Sequence, residues 1–310
     1  MFLPDPFPTP RADLSDAASG GSARRDSHQV PLSVAPAAWF RLLEELAPAI
    51  HLARTSVAML GMQGPLSPVR SGSSPVLPQS ECGRYLPNLA EHASLWAVQE
   101  EHAEGLLSLL EVRDARGQVG HRIVVPAGTT LGAYLGFVDA YGAPAAGSRP
   151  WFPPNHAASS RRVGSLTGRM RALRQRLAGK SPEVRWLPLN RVIGLLQQAI
   201  ASEFTIRTAV YNRSLFLSSV WMPEFQAPDL QATDPSLPRV SRFFGDDTGL
   251  ELYHDPGAVA VLWTGVCSCC GREKWAIEMG TADDELALSI AAVDDSQESE
   301  WRAFLQESLG

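Results

Sequence analysis

Apolar residues along this chain fall into short runs whose spacing alternates between two periods. Runs of strand length occupy residues 93–98, 106–112 and 121–125, and again 258–266, 274–279 and 286–291. Turn-rich segments such as Asp114-Ala115-Arg116-Gly117 and 280–285 (GTADDE) join them, which predicts antiparallel hairpins rather than the long crossovers of a parallel sheet. Helical spacing covers 39–50, where Trp39, Leu42, Leu43 and Leu46 form one stripe stopped near Pro48, and also 131–141, 189–200 and 298–309. A strand containing an arginine is expected after the first and third of these helices, at 54–62 and 213–222.

The pattern occurs twice. Slid forward by 167 positions without a gap, Ala93, Leu95, Trp96, Glu111, Ala115, Ile123 and Phe137 land on Ala260, Leu262, Trp263, Glu278, Ala282, Ile290 and Phe304. Tyr134 meets Trp301, so aromatic character is kept there too. The Pro/Ser/Gly-rich stretches 64–80 (GPLSPVRSGSSPVLPQS) and 223–240 (PEFQAPDLQATDPSLPRV) have the same character at matching places. A repeat of such long period means two copies of one module. The predicted fold class is α+β, with two homologous modules, each an antiparallel sheet flanked by helices. The expected division is a disordered N-terminal arm at 1–34, a first module at 35–150, a basic connecting segment at 151–185 and a second module at 186–310.

Composition suits two packed modules: 310 residues, 45% apolar and 19% charged. Pro4, Pro6, Pro8 and Pro10 interrupt the place where a secretory signal would carry its apolar run, and no run approaches a membrane span. The expected compartment is the cytoplasm, with no membrane insertion. A net charge of −6 argues against nucleic acid as a partner. That total hides a basic block between Arg161 and Arg185, where Arg161, Arg162, Arg169, Arg171, Arg174, Arg176, Lys180 and Arg185 face only Glu183. The block reads either as a solvated helix with Met170, Leu173 and Leu177 turned inward, or as an anion site.

Cys267, Cys269 and Cys270 crowd one turn, while Cys82 lies far away in sequence. A structural zinc needs four ligands, so a metal there would have to recruit Cys82 or a distant histidine such as His254. A redox role needs a thiolate stabilised at a helix start, which a hairpin tip does not provide. Turn residues without metal is the simpler reading. Among the histidines, His51, His92, His121 and His254 fall at strand or helix ends, while His156 stands beside Trp151 and Phe152 and directly before the basic block. An imidazole beside aromatic rings and arginines would suit a flat, iron-bearing anion.

These segments resemble the cytoplasmic haem-utilisation proteins, also called haemin-degrading or haemin-transport factors. Residues 92–125 are similar to that family's first-module hairpins, which end in F-F-D-x-x-G-x-x-x-x-K-V, here Val112-Arg113-Asp114 through Gly117 to Arg122-Ile123. Residues 208–217 (TAVYNRSLFL) resemble its V-F-V-G-N-R-G-C-I-Q-I, and Glu251-Leu252 through Trp263 resemble its L-x-L and A-x-A-W strands. The likeness runs over about 37–310. It implies haem bound between two halves, with a proximal histidine from D-V-H-x-F-F and a distal arginine from D-L-R-L-F. Counting back from 169–173 (RMRAL) brings Pro154-Asn155-His156 onto D-V-H, making His156 the candidate iron ligand. Ala157-Ala158-Ser159 replaces the aromatic pair of that motif, and Gly164 weakens a helix there. The distal position falls on Leu86, with Arg84 two residues earlier on the same strand face. Arg161 and Arg162 are the candidates for the haem carboxylates. The resemblance thus implies haem as ligand and haem-transport or haem-using proteins as partners. It leaves open whether the ring is cut, so enzymatic activity is undecided. A degenerate member serving as a non-enzymatic scaffold without haem is the alternative.

Overall fold

The protein is described by a computed structural model covering residues 28–34, 45–46, 49–64, 67–68, 83–87, 94–102, 105–113, 117, 119–125, 129–142, 184–212, 215–230, 239–254, 259–266, 273–281, 285–293 and 296–309. In chain order the described elements are β1 (His28–Leu32), β2 (Ile50–Arg54), β3 (Ala58–Gln63), β4 (Ser67–Pro68), β5 (Gly83–Pro87), β6 (Ser94–His102), β7 (Gly105–Arg113), β8 (Val119–Val125) and α1 (Thr129–Tyr141). They continue with β9 (Val184–Leu187), α2 (Leu189–Ala201), β10 (Ile206–Tyr211), β11 (Leu215–Trp221), β12 (Phe225–Leu230), β13 (Val240–Phe244), β14 (Thr248–Tyr253), β15 (Val259–Val266), β16 (Glu273–Gly280), β17 (Leu286–Ala291) and α3 (Glu298–Leu309). The class is α+β, as the hydrophobic periods predict. Among the described residues, no helix is long and apolar enough to cross a membrane.

Two sheets hold all seventeen of the described strands. The first runs β1-β6-β7-β8-β2-β3-β14-β13-β12 and the second β4-β5-β11-β10-β17-β16-β15-β9. All pairings are antiparallel except the short one between β4 and β5. Read from the β1 edge and the β9 edge, the two sheets use corresponding strands in the same order as far as β3 and β11. Trp96 lies in β6 and Trp263 in β15; Phe137 lies in α1 and Phe304 in α3. The first hairpins differ by two residues in pairing, since Trp96 is opposite Glu111 while Trp263 is opposite Ala276. An even shift leaves each side chain on its original face.

Beyond β3 and β11 the halves exchange strands. β14 pairs with β3, so 225–253 complete the first sheet, while β5 pairs with β11, so 67–87 extend the second. Neither sheet is therefore built from one contiguous half, and the stretches read as plain connections at 64–80 and 223–240 contain β4 and β12.

Three further expectations are corrected. The end of the arm is ordered: His28–Leu32 pairs with β6, Leu32 is 4% exposed and Val34 is equally buried. Pro31 is tolerated because β1 is an edge strand, whose outer side meets a single bridge, from Leu32 to Gly142, among the described residues. Secondly, 54–62 is not one strand. Arg54 ends β2, and Thr55 makes the turn by accepting the Val57 and Ala58 N–H groups on Oγ1, at 3.3 and 3.0 Å. The helix expected at 39–50 also stops earlier, because Ile50 opens β2. Thirdly, the strand expected at 213–222 is present as β11, Arg213 lying outside the described residues, but a strand not expected there, β10, precedes it and pairs with it. The rest of the arm, and the segment 151–183, lie outside the described residues.

Both sheets turn one face to a shared core. Leu95, Leu110, Val112, Ile123, Ala53 and Leu60 of the first sheet join Val210, Leu217, Ile277, Leu288 and Ile290 of the second in a single apolar cluster with all three helices. In α2, Val192, Leu195, Leu196 and Ala199 recur at helical spacing and are buried. In α3, acidic residues occupy the first turn, where the helix dipole favours them, and Trp301 donates its indole N–H to the Trp275 carbonyl at 2.9 Å. Polar clasps join the sheets: Ser219 Oγ and Thr248 Oγ1 are 2.8 Å apart, and Asn212 Nδ2 donates to the carbonyls of Arg54 and Gly120 at 3.0 and 2.6 Å.

Candidate ligand-binding face

Of the residues singled out by sequence, Arg84 lies on β5 and stands in register with Ser218. His156, Arg161 and Arg162 lie outside the described residues, as do Cys82, Cys267, Cys269 and Cys270. Among the described residues, Arg84 is the one candidate present, placed by the backbone register of its strand.

On the second sheet Thr208, Val210, Leu217, Leu288 and Ile290 are buried, and all but Thr208 belong to the shared core. Thr208 accepts the Trp221 indole N–H at 3.0 Å. Alternation then puts their neighbours on the opposite, outer face. One ladder row on that face reads Arg84, Ser218, Ala209, Ser289, Glu278 across β5, β11, β10, β17 and β16. The adjacent row reads Val220, Arg207, Ala291, Ala276 and continues to Trp263 in register. Five of these positions are alanine or serine. Ala209, Ser218, Ala276 and Glu278 are buried on this face, while Arg207, Ser289 and Ala291 are partly exposed.

The equivalent face of the first sheet is different. Leu109, Val124, Leu52 and Arg122 occupy the places of Ala276, Ala291, Ala209 and Ser289; Gly61, in place of Ser218, is the one smaller residue. Val98, Leu109 and Val124 pack there with Ile50 and Leu52. Glu111 is 1% exposed and its counterpart Glu278 2%, so the carboxylate is buried on both sheets. Glu111 accepts from Arg113 Nε at 2.9 Å and from Arg122 at 2.6 Å, and the Arg113 guanidinium lies 4.8 Å from the Trp96 ring. Farther along, Arg54 lies over Tyr253 at 5.2 Å. Tyr253 donates to Glu251 at 3.0 Å. Burial, and after it the charge of Glu251, raises the Tyr253 hydroxyl pKa, so it remains a donor. This face is packed and internally neutralised.

Sequence reasoning placed His51 and His121 at strand positions, and both are wholly buried in the core, with ring centroids 5.6 Å apart. Burial lowers the pKa of His51 to about 3, with the Gly64 backbone pulling slightly the other way. Burial also lowers that of His121, and His51 adds to the effect. Both are neutral at pH 7, and neither touches the outer face.

Neither a family profile nor a curated protein sequence matches the chain. Its fold, however, is shared with solved structures. The crystal structure of ChuS, a haem oxygenase of Escherichia coli, matches at a TM-score of 0.70 and 13% identity, covering 91% of this chain and 89% of that one. Holo-PhuS, a haem-binding protein from Pseudomonas aeruginosa, matches at a TM-score of 0.62 and 18% identity, over 89% of this chain and 85% of that one. At such identities the likeness is one of fold.

Proposed function

We propose that this chain is a haem-binding protein of haem-iron utilisation that acts in the cytoplasm, receiving haem that has entered the cell and passing it on or degrading it. The carrying observation is a fold shared over nine-tenths of the chain with proteins described as a haem oxygenase and a haem-binding protein. The outer face of the second sheet supports the reading in one respect: Ala276, Ala291 and Ala209 stand where the first sheet has Leu109, Val124 and Leu52. In this reading His156 would hold the iron, Arg84 would act on what else binds it, and Arg161 and Arg162 would pair with the carboxylates. We also read the matched order of strands as an internal duplication. Haem-transport or haem-using proteins are the partners this reading implies.

The test is a titration of the full chain with haem. A sharp Soret band saturating at one equivalent is expected, and His156→Ala should shift or abolish it. Replacing Arg84 should change ligand exchange at the sixth position more than affinity. Haem association that never saturates, or a His156→Ala variant spectrally identical to the wild type, would transfer the assignment to a scaffold that binds no haem.

A further inference from the structure

We propose that the outward stripe of α1 pairs with the same stripe of a second copy of this chain, giving a symmetric dimer held by two antiparallel helices. The proposal does not depend on the haem reading.

The stripe comes first. In α1, Gly132, Leu135, Gly136, Asp139 and Ala140 recur at helical spacing and are exposed, opposite the buried Tyr134 and Phe137. Leu135 is 49% exposed, and one carboxylate is the sole polar side chain among the five. The other two described helices behave differently. Shifted by 167 positions, the same places in α3 are Ser299, Arg302, Ala303, Gln306 and Glu307, and α2 turns Asn190, Arg191 and Gln197 outward. An apolar stripe where a corresponding helix carries a polar one marks a contact surface.

The glycines point to a close approach. Both lie inside a helix, where glycine is less stable than alanine, and neither has a positive φ that would call for it. A Cβ added at Gly132 or Gly136 meets nothing within 4 Å beyond the helix backbone, so the packing of the chain itself gives no reason for their bareness. Their effect is a notch on either side of Leu135, where the backbone of another helix can come near. A knob flanked by two notches on one surface is complementary to itself, which is what an interface about a two-fold axis requires.

Charge selects the direction of pairing. α1 has no acidic residue in its first turn and no basic residue in its last, so Asp139 stands near the negative end of its own dipole. Antiparallel pairing centred on Leu135 sets Asp139 of each copy against the first turn of the other's α1, whose N–H groups have no acceptor within the helix. The carboxylate then meets the positive end of a dipole. Parallel pairing would instead bring the two carboxylates together. Two helices of 13 residues bury less than the roughly 1,600 Å² of a standard interface, so the dimer is a reversible one.

The test is sedimentation velocity of the full chain from about 1 to 200 μM, a range that spans weak association, with thermal melts recorded at the dilute end. The wild type should pass from monomer to dimer across the range, and Leu135→Glu should stay monomeric with an unchanged melt. Gly136→Ala should move the two readouts in opposite directions. Its dilute monomer should melt higher, because alanine is the better helix former and finds open space, while dimerisation should weaken on the order of tenfold as the methyl group fills the notch on both copies. Asp139→Asn should weaken the dimer and remove its dependence on salt. A wild type that is monomeric at the highest concentration overturns the proposal and leaves the stripe to a different protein. A dimer that survives Leu135→Glu overturns it by placing the contact on another face, and one that tightens in Gly136→Ala overturns the close approach on which the pairing rests.

Discussion

The buried histidine pair makes the stability of the fold depend on pH in a calculable way. In the folded protein the pKa of His51 lies at about 3, below its unfolded value of 6.5. A depressed pKa on a base means that the unfolded chain takes up a proton the native state refuses. His51 is therefore harmless above pH 6.5, and stability falls as the pH drops from there toward 3, by about 1.4 kcal/mol per unit. At pH 5 the loss from His51 alone is about 2 kcal/mol. His121 is shifted in the same direction, so the two together steepen the slope. Their partners in register are Met62, Ile123, Ala53 and Val112, which offer no compensating charge. The perturbation is His51→Leu, read by urea unfolding at pH 7.5 and pH 5.0. At pH 7.5 the change should be small, because an apolar group replaces a neutral imidazole in an apolar core. At pH 5.0 the variant should be more stable than the wild type by about 2 kcal/mol, less whatever the substitution costs at pH 7.5. Equal slopes of stability against pH for variant and wild type would show that the imidazole is charged, or solvated, in the native state.

Two further outcomes follow from packing. Removal of residues 1–27 should leave the melting temperature unchanged, whereas removal of 1–34 strips β1 from β6 and takes Leu32 and Val34 out of the core, at about 1.5–3 kcal/mol for each side chain; equal melting temperatures for the two truncations would show that β1 contributes nothing. Glu111→Leu should cost about 2 kcal/mol, because it leaves Arg113 and Arg122 without their shared acceptor although both guanidiniums still reach water; urea unfolding that places it within a few tenths of the wild type would mean that the cluster is solvated.

Much of the fold could be read from the chain because its hairpins and helices announce themselves by period. The run at 286–291 and the helix at 298–309 coincide with β17 and α3. What escaped reading has physical causes. The turn after Arg54 uses a threonine hydroxyl in place of glycine or asparagine, so no punctuation separates β2 from β3. β1 contains a proline and is fixed by partners more than sixty residues away, β6 and, at Leu32, Gly142. The exchange of strands is a choice of partner between remote segments, and alternation specifies a face, not a neighbour. The candidate face shows the same division. Arg84 was singled out by resemblance alone, while Ala209 and Ser289 look ordinary in sequence and are distinguished only when the register sets them against Leu52 and Arg122.

The pairing of β3 with β14 also has a meaning in time. During synthesis Ala58–Gln63 leaves the ribosome long before Thr248–Tyr253, its neighbour in the finished sheet. About 190 residues separate them, so at the usual pace of translation the free edge of β3 waits roughly 10–40 s for its partner. Throughout that interval a buried strand of the native protein, Ala-Met-Leu-Gly-Met-Gln, offers open backbone donors and acceptors to any passing chain. The nascent polypeptide is thus most vulnerable at its first half, and a cell making this protein has reason to shield that edge until the last third has emerged.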